Sequence, residues 1–182
     1  LPHCFAFDAD KSQKEDELFI TKSCVYTLVR DVCGGSSPSF EISANFQRPK
    51  DTLERTFVSD LRVTAIDLPS LYLGQGPVLA VGDPDSTVPM PYSSGGLTAV
   101  EVPGTSEAGW PNPDTPIMQV FLPNGVLIKW DGIKTVQIEV PPTGRFMDNV
   151  CGLCGNNDGV STNDRAMGPH VGGARSRRAA GA

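Results

Sequence analysis

The chain is poor in the side chains that enzymes and nucleic-acid binders rely on. Its 182 residues include only two histidines, His3 and His170. Neither serine-rich stretch, Gly34-Gly-Ser-Ser-Pro or Ser93-Ser-Gly-Gly, has the pattern of a nucleophile elbow. No glycine-rich phosphate loop follows a strand. The reading is of a non-enzymatic module. Fifteen basic residues against 21 acidic ones give a net charge of −6, the wrong sign for displacing phosphate counterions. No apolar run approaches the roughly 20 residues that span a bilayer. Leu1-Pro-His-Cys is not a charged n-region followed by an apolar stretch, so the chain reads as a mature or excised piece. No Asn-x-Ser/Thr acceptor for N-glycosylation occurs. A sustained 3.6-residue apolar period is also missing, which leaves at most a short helix, expected near residues 145–150.

What the sequence does have is turn residues and short strands. Nineteen glycines and 16 prolines favour many short strands over long helices. β-Branched and aromatic residues concentrate at 18–21 and 24–32. Segment 40–46 sets Phe40, Ile42, Ala44 and Phe46 against polar residues on the opposite face. Segment 56–67 sets Phe57, Leu61, Val63 and Ala65 against Asp60, Arg62 and Thr64. Shorter strands are expected at 71–73 and 78–81. In the Pro/Gly/Ser-rich stretch 82–116, only 97–102 reads as a strand. Segments 117–122 and 126–130 flank Pro123-Asn124-Gly125, a strong hairpin signal. Trp130-Asp131-Gly132 then turns into 133–140, completing a meander. The fold class read from this pattern is mostly β, antiparallel, with little helix.

Five cysteines, Cys4, Cys24, Cys33, Cys151 and Cys154, gather at the two ends of the chain. Cys151-x-x-Cys154 has zinc-like spacing but no second close pair. A thioredoxin-like pair should open a helix, whereas Gly-Asn-Asn-Asp-Gly follows Cys154. A disulfide framework in an oxidising compartment is the reading that remains. Two bridges among five cysteines allow 15 connectivities, and spacing alone does not choose between them. The run Asn156-Asn-Asp158-Gly-Val160-Ser-Thr-Asn163-Asp164 is rich in oxygen donors of the kind calcium prefers. It resembles the first half of an EF-hand loop but lacks the closing Glu. Its alternative is an Asx-turn loop capping its own backbone.

Three ordered motifs point to one family. The segment 126–158, with its hairpin, Trp-Asp-Gly and Cys151-Gly-Leu-Cys154-Gly-Asn, resembles the C-terminal half of a von Willebrand factor type D domain. Pro2-His3-Cys4-Phe5-Ala6-Phe7-Asp8 is similar to that family's opening. Cys24-Val-Tyr26-Thr-Leu28-Val-Arg-Asp31-Val-Cys33 is similar to the strand that follows. The resemblance covers residues 1–166 and leaves 167–182 as a Gly/Ala/Arg-rich tail. The opening departs from the family in lacking Gly-Asp before Pro-His, so self-cleavage at Asp-Pro is not expected there. Gly82-Asp83-Pro84-Asp85 reads as a turn.

The resemblance implies a disulfide-stapled β-sandwich in a secreted protein. It pairs Cys33 with Cys151. Cys154 ordinarily pairs with a cysteine upstream of Leu1, a role that Cys4 would take here. That leaves Cys24 either as a buried thiol or as a bridge to another chain. It further implies Ca2+ in a structural role, held by Asp8, Asn156, Asp158, the Val160 carbonyl, Asn163 and Asp164.

Three parent contexts follow from the same resemblance. The low cysteine count favours a vitellogenin-like lipid-transfer lipoprotein, with lipid or another apolar ligand held elsewhere in the assembly. The alternatives are a mucin-like or adhesive matrix module and a luciferase-like oxidoreductase. The expected partners are other chains or domains of the same precursor. Arg175-Ser-Arg177-Arg178 matches a furin-type processing site, its alternative being a solvated charge run. The tail is expected to dock on a neighbouring chain.

Overall fold

The computed structural model describes residues 4–5, 17–20, 23–33, 37–49, 56–147, 149–155 and 174–176, with the backbone alone described for 4–5, 17–20 and 174–176. The fold is mostly β and antiparallel throughout. It divides into two compact units: Leu1–Val58 with Pro142–Ala182, and the intervening Ser59–Pro141.

The first unit contains β1 (Cys4–Phe5), β2 (Glu17–Ile20), β3 (Cys24–Asp31), β4 (Phe40–Gln47), β14 (Val150–Cys151) and β15 (Ala174–Ser176). β3 lies between β14 and β4, and β2 lies between β1 and β15. The period-two pattern of β4 behaves as its sequence requires, with Phe40, Ile42, Ala44 and Phe46 all fully buried. Each such large apolar side chain contributes about 1.5–3 kcal/mol by leaving water. Tyr26 packs edge-on against Phe46, ring centroids 5.4 Å apart, and Phe40 does the same with Phe146 at 5.7 Å. Burial, and secondarily the charge of a Cys24 thiolate, pushes the Tyr26 phenol above its ordinary pKa. The register of β3 on β4 shifts between Thr27 and Val29, a bulge that turns two successive residues, Leu28 and Val29, into the core.

The second unit begins at Ser59, within β5 (Phe57–Ala65), and continues through β6 (Leu71–Leu73), β7 (Leu79–Val81) and β8 (Thr87–Val88), each hydrogen-bonded to the next. Leu61, Leu73 and Leu79 stand opposite one another in a cross-strand row. A five-stranded meander follows: β9 (Tyr92–Ser94), β10 (Leu97–Pro103), β11 (Pro116–Phe121), β12 (Leu127–Trp130) and β13 (Val136–Glu139). Its inner rows are Ala99–Val120–Ile128–Ile138 and Met118–Trp130–Val136. Trp130 Nε1, at the end of β12, donates to the carbonyl of Gly74, just after β6, at 2.8 Å.

Polar groups tie the meander's turns. At the β11–β12 hairpin, Gly125 adopts φ 90°, and the Val126 amide donates to Asn124 Oδ1 at 3.1 Å. Asp131, almost fully buried, accepts on Oδ1 from the amides of Ile133, Lys134 and Thr135 at 2.8–2.9 Å. Its Oδ2 accepts from Asn112 Nδ2 at 2.8 Å. Burial works against ionisation, but these donors outweigh it and hold the carboxyl below the usual range. On the outer face Lys129, buried despite its charge, reaches Glu107 at 2.8 Å and Glu139 at 2.7 Å. Burial opposes its charge too, yet the two carboxylates keep its pKa above the ordinary lysine value.

Two sequence expectations need correction. Residues 143–147 form a turn, with the Phe146 and Met147 amides both donating to the Thr143 carbonyl, and no helix covers 145–150 among the described residues. The helical element described is a short 3-10 turn at Gly104–Ser106. Stretch 82–116 holds three strands, not one, because β8 and β9 are too short to show a two-residue period. β15 pairs within the same chain, Arg175 standing opposite Phe19 of β2.

Candidate functional site

The cysteine-bearing end of the first unit brings together more of the sequence-predicted residues than any other described place. Cys33 and Cys151 are bonded, S–S 2.14 Å and Cα–Cα 5.9 Å, across a sequence separation of 118. β14 feeds the bridge by pairing with the end of β3, Val150 opposite Asp31 and Cys151 opposite Arg30. Such a closure stabilises by about 4–5 kcal/mol in the chain-entropy account.

The residues between the two cysteines of the Cys-Gly-Leu-Cys run explain its shape. The Leu153 amide donates to the Thr27 carbonyl at 3.0 Å, and the Cys154 amide donates to the Leu28 carbonyl at 2.9 Å. On a regular strand successive carbonyls point to opposite edges; the β3 bulge lets two adjacent ones face the same run. Gly152 makes this approach feasible. It sits at φ 131°, and a Cβ there would lie 2.5 Å from the Leu28 carbonyl oxygen. The Gly155 amide then closes a turn on the Gly152 carbonyl at 3.2 Å. A turn here, where a redox pair would open a helix, suits a structural clasp.

The opposite side of the bridge is equally fixed. Asp31 is buried, and its carboxylate accepts from the Ser39 amide at 2.7 Å, the Phe40 amide at 3.2 Å and the Ser39 hydroxyl. It thereby clamps the start of β4 to the end of β3. Between Asp31 and Cys33, Val32 adopts φ 56°, a left-handed conformation that a β-branched residue rarely takes. Its side chain is about half exposed, at 46%. Arg30 and Glu41 form a cross-strand ion pair at 3.3 Å.

The remaining candidate residues divide as follows. Cys24 carries a free, exposed thiol, which corrects the expectation of a buried one: it begins β3 at a position facing outward. Cys4 lies on β1, its backbone opposite Leu18, and only its backbone is described. Cys154 is half-buried. Asp8, Asn156, Asp158, Val160, Asn163 and Asp164 lie outside the described residues, as do Arg177 and Arg178. Arg175 lies on β15. Sequence reading missed the contributions of Gly152, Leu153 and Asp31, although the Cys-Gly-Leu-Cys spacing was itself the available signal for the first two. Among the described residues no group of three or more His, Cys, Asp or Glu could hold a metal ion, and no helix is long and apolar enough to cross a membrane.

Comparison with known proteins places this clasp. The family model for the von Willebrand factor type D domain matches residues 15–170, a span that contains β3, the bridge and the Cys-Gly-Leu-Cys run. Zonadhesin of Mus musculus is 29% identical over 154 residues, covering 82% of this chain and 2% of that protein. The chain thus spans a small fraction of that relative's length. With residues 15–170 matched, the chain belongs to the von Willebrand factor type D domain family.

Proposed function

We propose that the chain is a non-enzymatic, extracellular structural module of a larger adhesive or matrix-type protein, whose work is to present a rigid surface for association. The observation that carries this reading is the clasp: a long-range disulfide, two backbone hydrogen bonds and a buried carboxylate all fix the ends of β3. A bridge of this kind persists in oxidising surroundings and suits a secreted protein. The similarity to zonadhesin, named as an adhesin, favours the adhesive context. The lipid-transfer reading rested on the low cysteine count, which says little about cargo, and it takes second place. Luciferase-like oxidoreductase chemistry has no residue set here to recommend it.

The test is whether the purified chain, at physiological ionic strength, associates with itself or adheres to an extracellular-matrix-coated surface. Mass spectrometry of the native material runs alongside. Association without a stoichiometric apolar ligand is the expected result. A monomer that adheres to nothing and carries bound lipid would reverse the order of the two readings.

The same reading gives calcium a structural place. Asp8, Asn156, Asp158, the Val160 carbonyl, Asn163 and Asp164 would supply six oxygens, three of them from carboxylates, a hard donor set suited to Ca2+ and unsuited to softer metals. The backbone that leads into this loop is anchored by the Leu153 and Cys154 amides. The bound ion would add cross-linking charge, joining the family's opening segment to its closing loop. Calcium at a hundredfold excess over its dissociation constant should stabilise the fold by about 2.7 kcal/mol. Thermal unfolding with and without a chelator measures it, and Asp158→Ala should abolish the difference. Identical melting curves in calcium and chelator would remove the ion from the account.

A further inference from the structure

We infer that Asn124-Gly125, at the tip of the β11–β12 hairpin, is a site of self-modification. There Asn124 is converted through a cyclic imide to aspartate and isoaspartate, and the folded turn restrains the reaction. The sequence supplies the reactants. A main-chain nitrogen reaches the carboxamide of the residue before it most readily when no side chain crowds it, as in glycine. Asn124 is the one asparagine of the chain that precedes a glycine. Asn112 precedes Pro113, which has no N–H to give up.

The loop sets the starting geometry. The Gly125 amide donates to the Leu122 carbonyl at 3.0 Å, and the Leu122 amide donates to the Val126 carbonyl at 2.9 Å. Of the loop residues Gly125 alone has a positive φ, 90°. This is a type I turn with Pro123 and Asn124 at its centre, closed by a glycine bulge. The third residue of such a turn has a ψ of about 0°, which rotates the Gly125 nitrogen about 120° away from the Asn124 Cβ. A five-membered imide needs the two nearly eclipsed. The carboxamide is tied as well, its Oδ1 accepting from the Val126 amide at 3.1 Å. Ring closure therefore waits for the tip to open and release both bonds. Pro123 and Gly125 are exposed and Asn124 is half-buried, so solvent base reaches the nitrogen once it is released.

In the reaction the Gly125 nitrogen loses its proton to hydroxide and bonds to Asn124 Cγ. The bond from Cγ to the amide nitrogen breaks, and ammonia leaves with a proton from water. Water then opens the imide. If the new bond breaks, aspartate results on an unaltered main chain. If the original peptide bond breaks, the chain runs on through Cγ as isoaspartate, one methylene longer. Nothing is oxidised or reduced. The longer loop cannot keep the glycine bulge, and a Cβ at Gly125 would already stand 2.9 Å from Pro141 Cγ. The loop sets the register that aligns Val120 with Ile128 and Met118 with Trp130, so isoaspartate strains the core rows of the meander. The inference does not rest on the adhesive reading.

The test keeps the 182-residue chain at mildly alkaline pH, one sample folded and one reduced in guanidinium chloride. Trypsin releases residues 63–129 as one fragment, since no Lys or Arg lies between Arg62 and Lys129. That fragment should gain about 1 Da as carboxamide becomes carboxylate, about ten- to a hundredfold more slowly in the folded sample. Asn124→Asp should abolish the gain. It should also unfold together with the fresh chain, whereas chromatographically separated isoaspartate chain should unfold earlier. No gain in the denatured sample would overturn the site. Equal rates would overturn the restraint, and no gain in the folded sample within the time a hundredfold slower reaction needs would overturn self-modification of the native protein. Isoaspartate chain that unfolds with the fresh chain would overturn the strain on the meander. A failed adhesion assay would leave all of these rates unchanged.

Discussion

Replacing Gly152 by alanine should be the most damaging single methyl group that can be added near the bridge. The new Cβ would stand 2.5 Å from the Leu28 carbonyl oxygen, 2.8 Å from its carbon and 3.1 Å from the Thr27 oxygen. Those atoms are main chain and cannot rotate away. The φ of 131° is also one that an L-residue rarely adopts, at a cost of about 1–2 kcal/mol. Relief requires the run to back off from β3, which stretches the Leu153 and Cys154 hydrogen bonds, each worth about 0.5–1.5 kcal/mol net. Together these come to about 2–5 kcal/mol. For a domain of this size that is a fall in melting temperature of roughly 5–15 °C. Urea unfolding followed by tryptophan fluorescence measures it, with Gly144→Ala as the control. Gly144 has open space where a Cβ would go and no unusual φ, so its substitution should change stability by less than about 0.5 kcal/mol. If the two variants unfold together, the close approach of the Cys-Gly-Leu-Cys run to the bulge is not what holds it, and the account of the clasp fails.

Three other perturbations have defined outcomes. Lys129→Ala should cost about 2–3 kcal/mol by chemical denaturation, less than a fully buried ion pair because Glu139 is about half exposed; a change under about 0.5 kcal/mol would mean that the two glutamates are solvated. Asp131 has a depressed folded pKa, so its stabilisation is complete above the unfolded carboxylate value and is lost as pH falls through the folded one. Acid unfolding below about pH 4 should therefore be partly removed in Asp131→Asn, which should also be less stable at neutral pH; an unaltered acid limb would contradict the assignment. Val32→Asn or Val32→Gly should raise stability by about 1 kcal/mol, since either residue accepts φ 56° more readily than valine does. A loss of stability in both would show that the valine side chain contributes packing that outweighs its backbone strain.

Much of the fold was readable because its longer strands keep a clean two-residue period. Phe40, Ile42, Ala44 and Phe46 announce one buried face, and Pro-Asn-Gly announces the hairpin after β11. What could not be read arises from contacts distant in sequence. Lys129 stands in an apolar run, and nothing local indicates that Glu107, in a loop 22 residues earlier, will neutralise it. The β3 bulge leaves no mark on Cys-Val-Tyr-Thr-Leu-Val, yet it decides which carbonyls meet residues 153 and 154. The strands β8 and β9 fall below the length at which periodicity exists. The pairing of Cys33 with Cys151 was available only through family resemblance, since spacing permits every alternative. For Cys24 the sequence left a buried thiol and a bridge to another chain both open, and its place at the strand's exposed beginning removes the first of them. The calcium loop's donor types were readable, and its residues lie outside the described ones.

The division of the chain has a consequence for its synthesis. Because one unit is built from both ends and the other from the middle, the middle unit is complete on the ribosome before the outer one can be. Cys33 emerges 118 residues ahead of its partner, a delay of about 6–24 seconds at ordinary translation rates. Through that interval its thiol must stay unspent, with Cys4 and Cys24 close by in the nascent chain as competing partners. Native pairing is thus a problem of timing as much as of geometry. An oxidising folding factor that acts too early would trap a bridge among the first three cysteines, before Gly152 has brought Cys151 to β3.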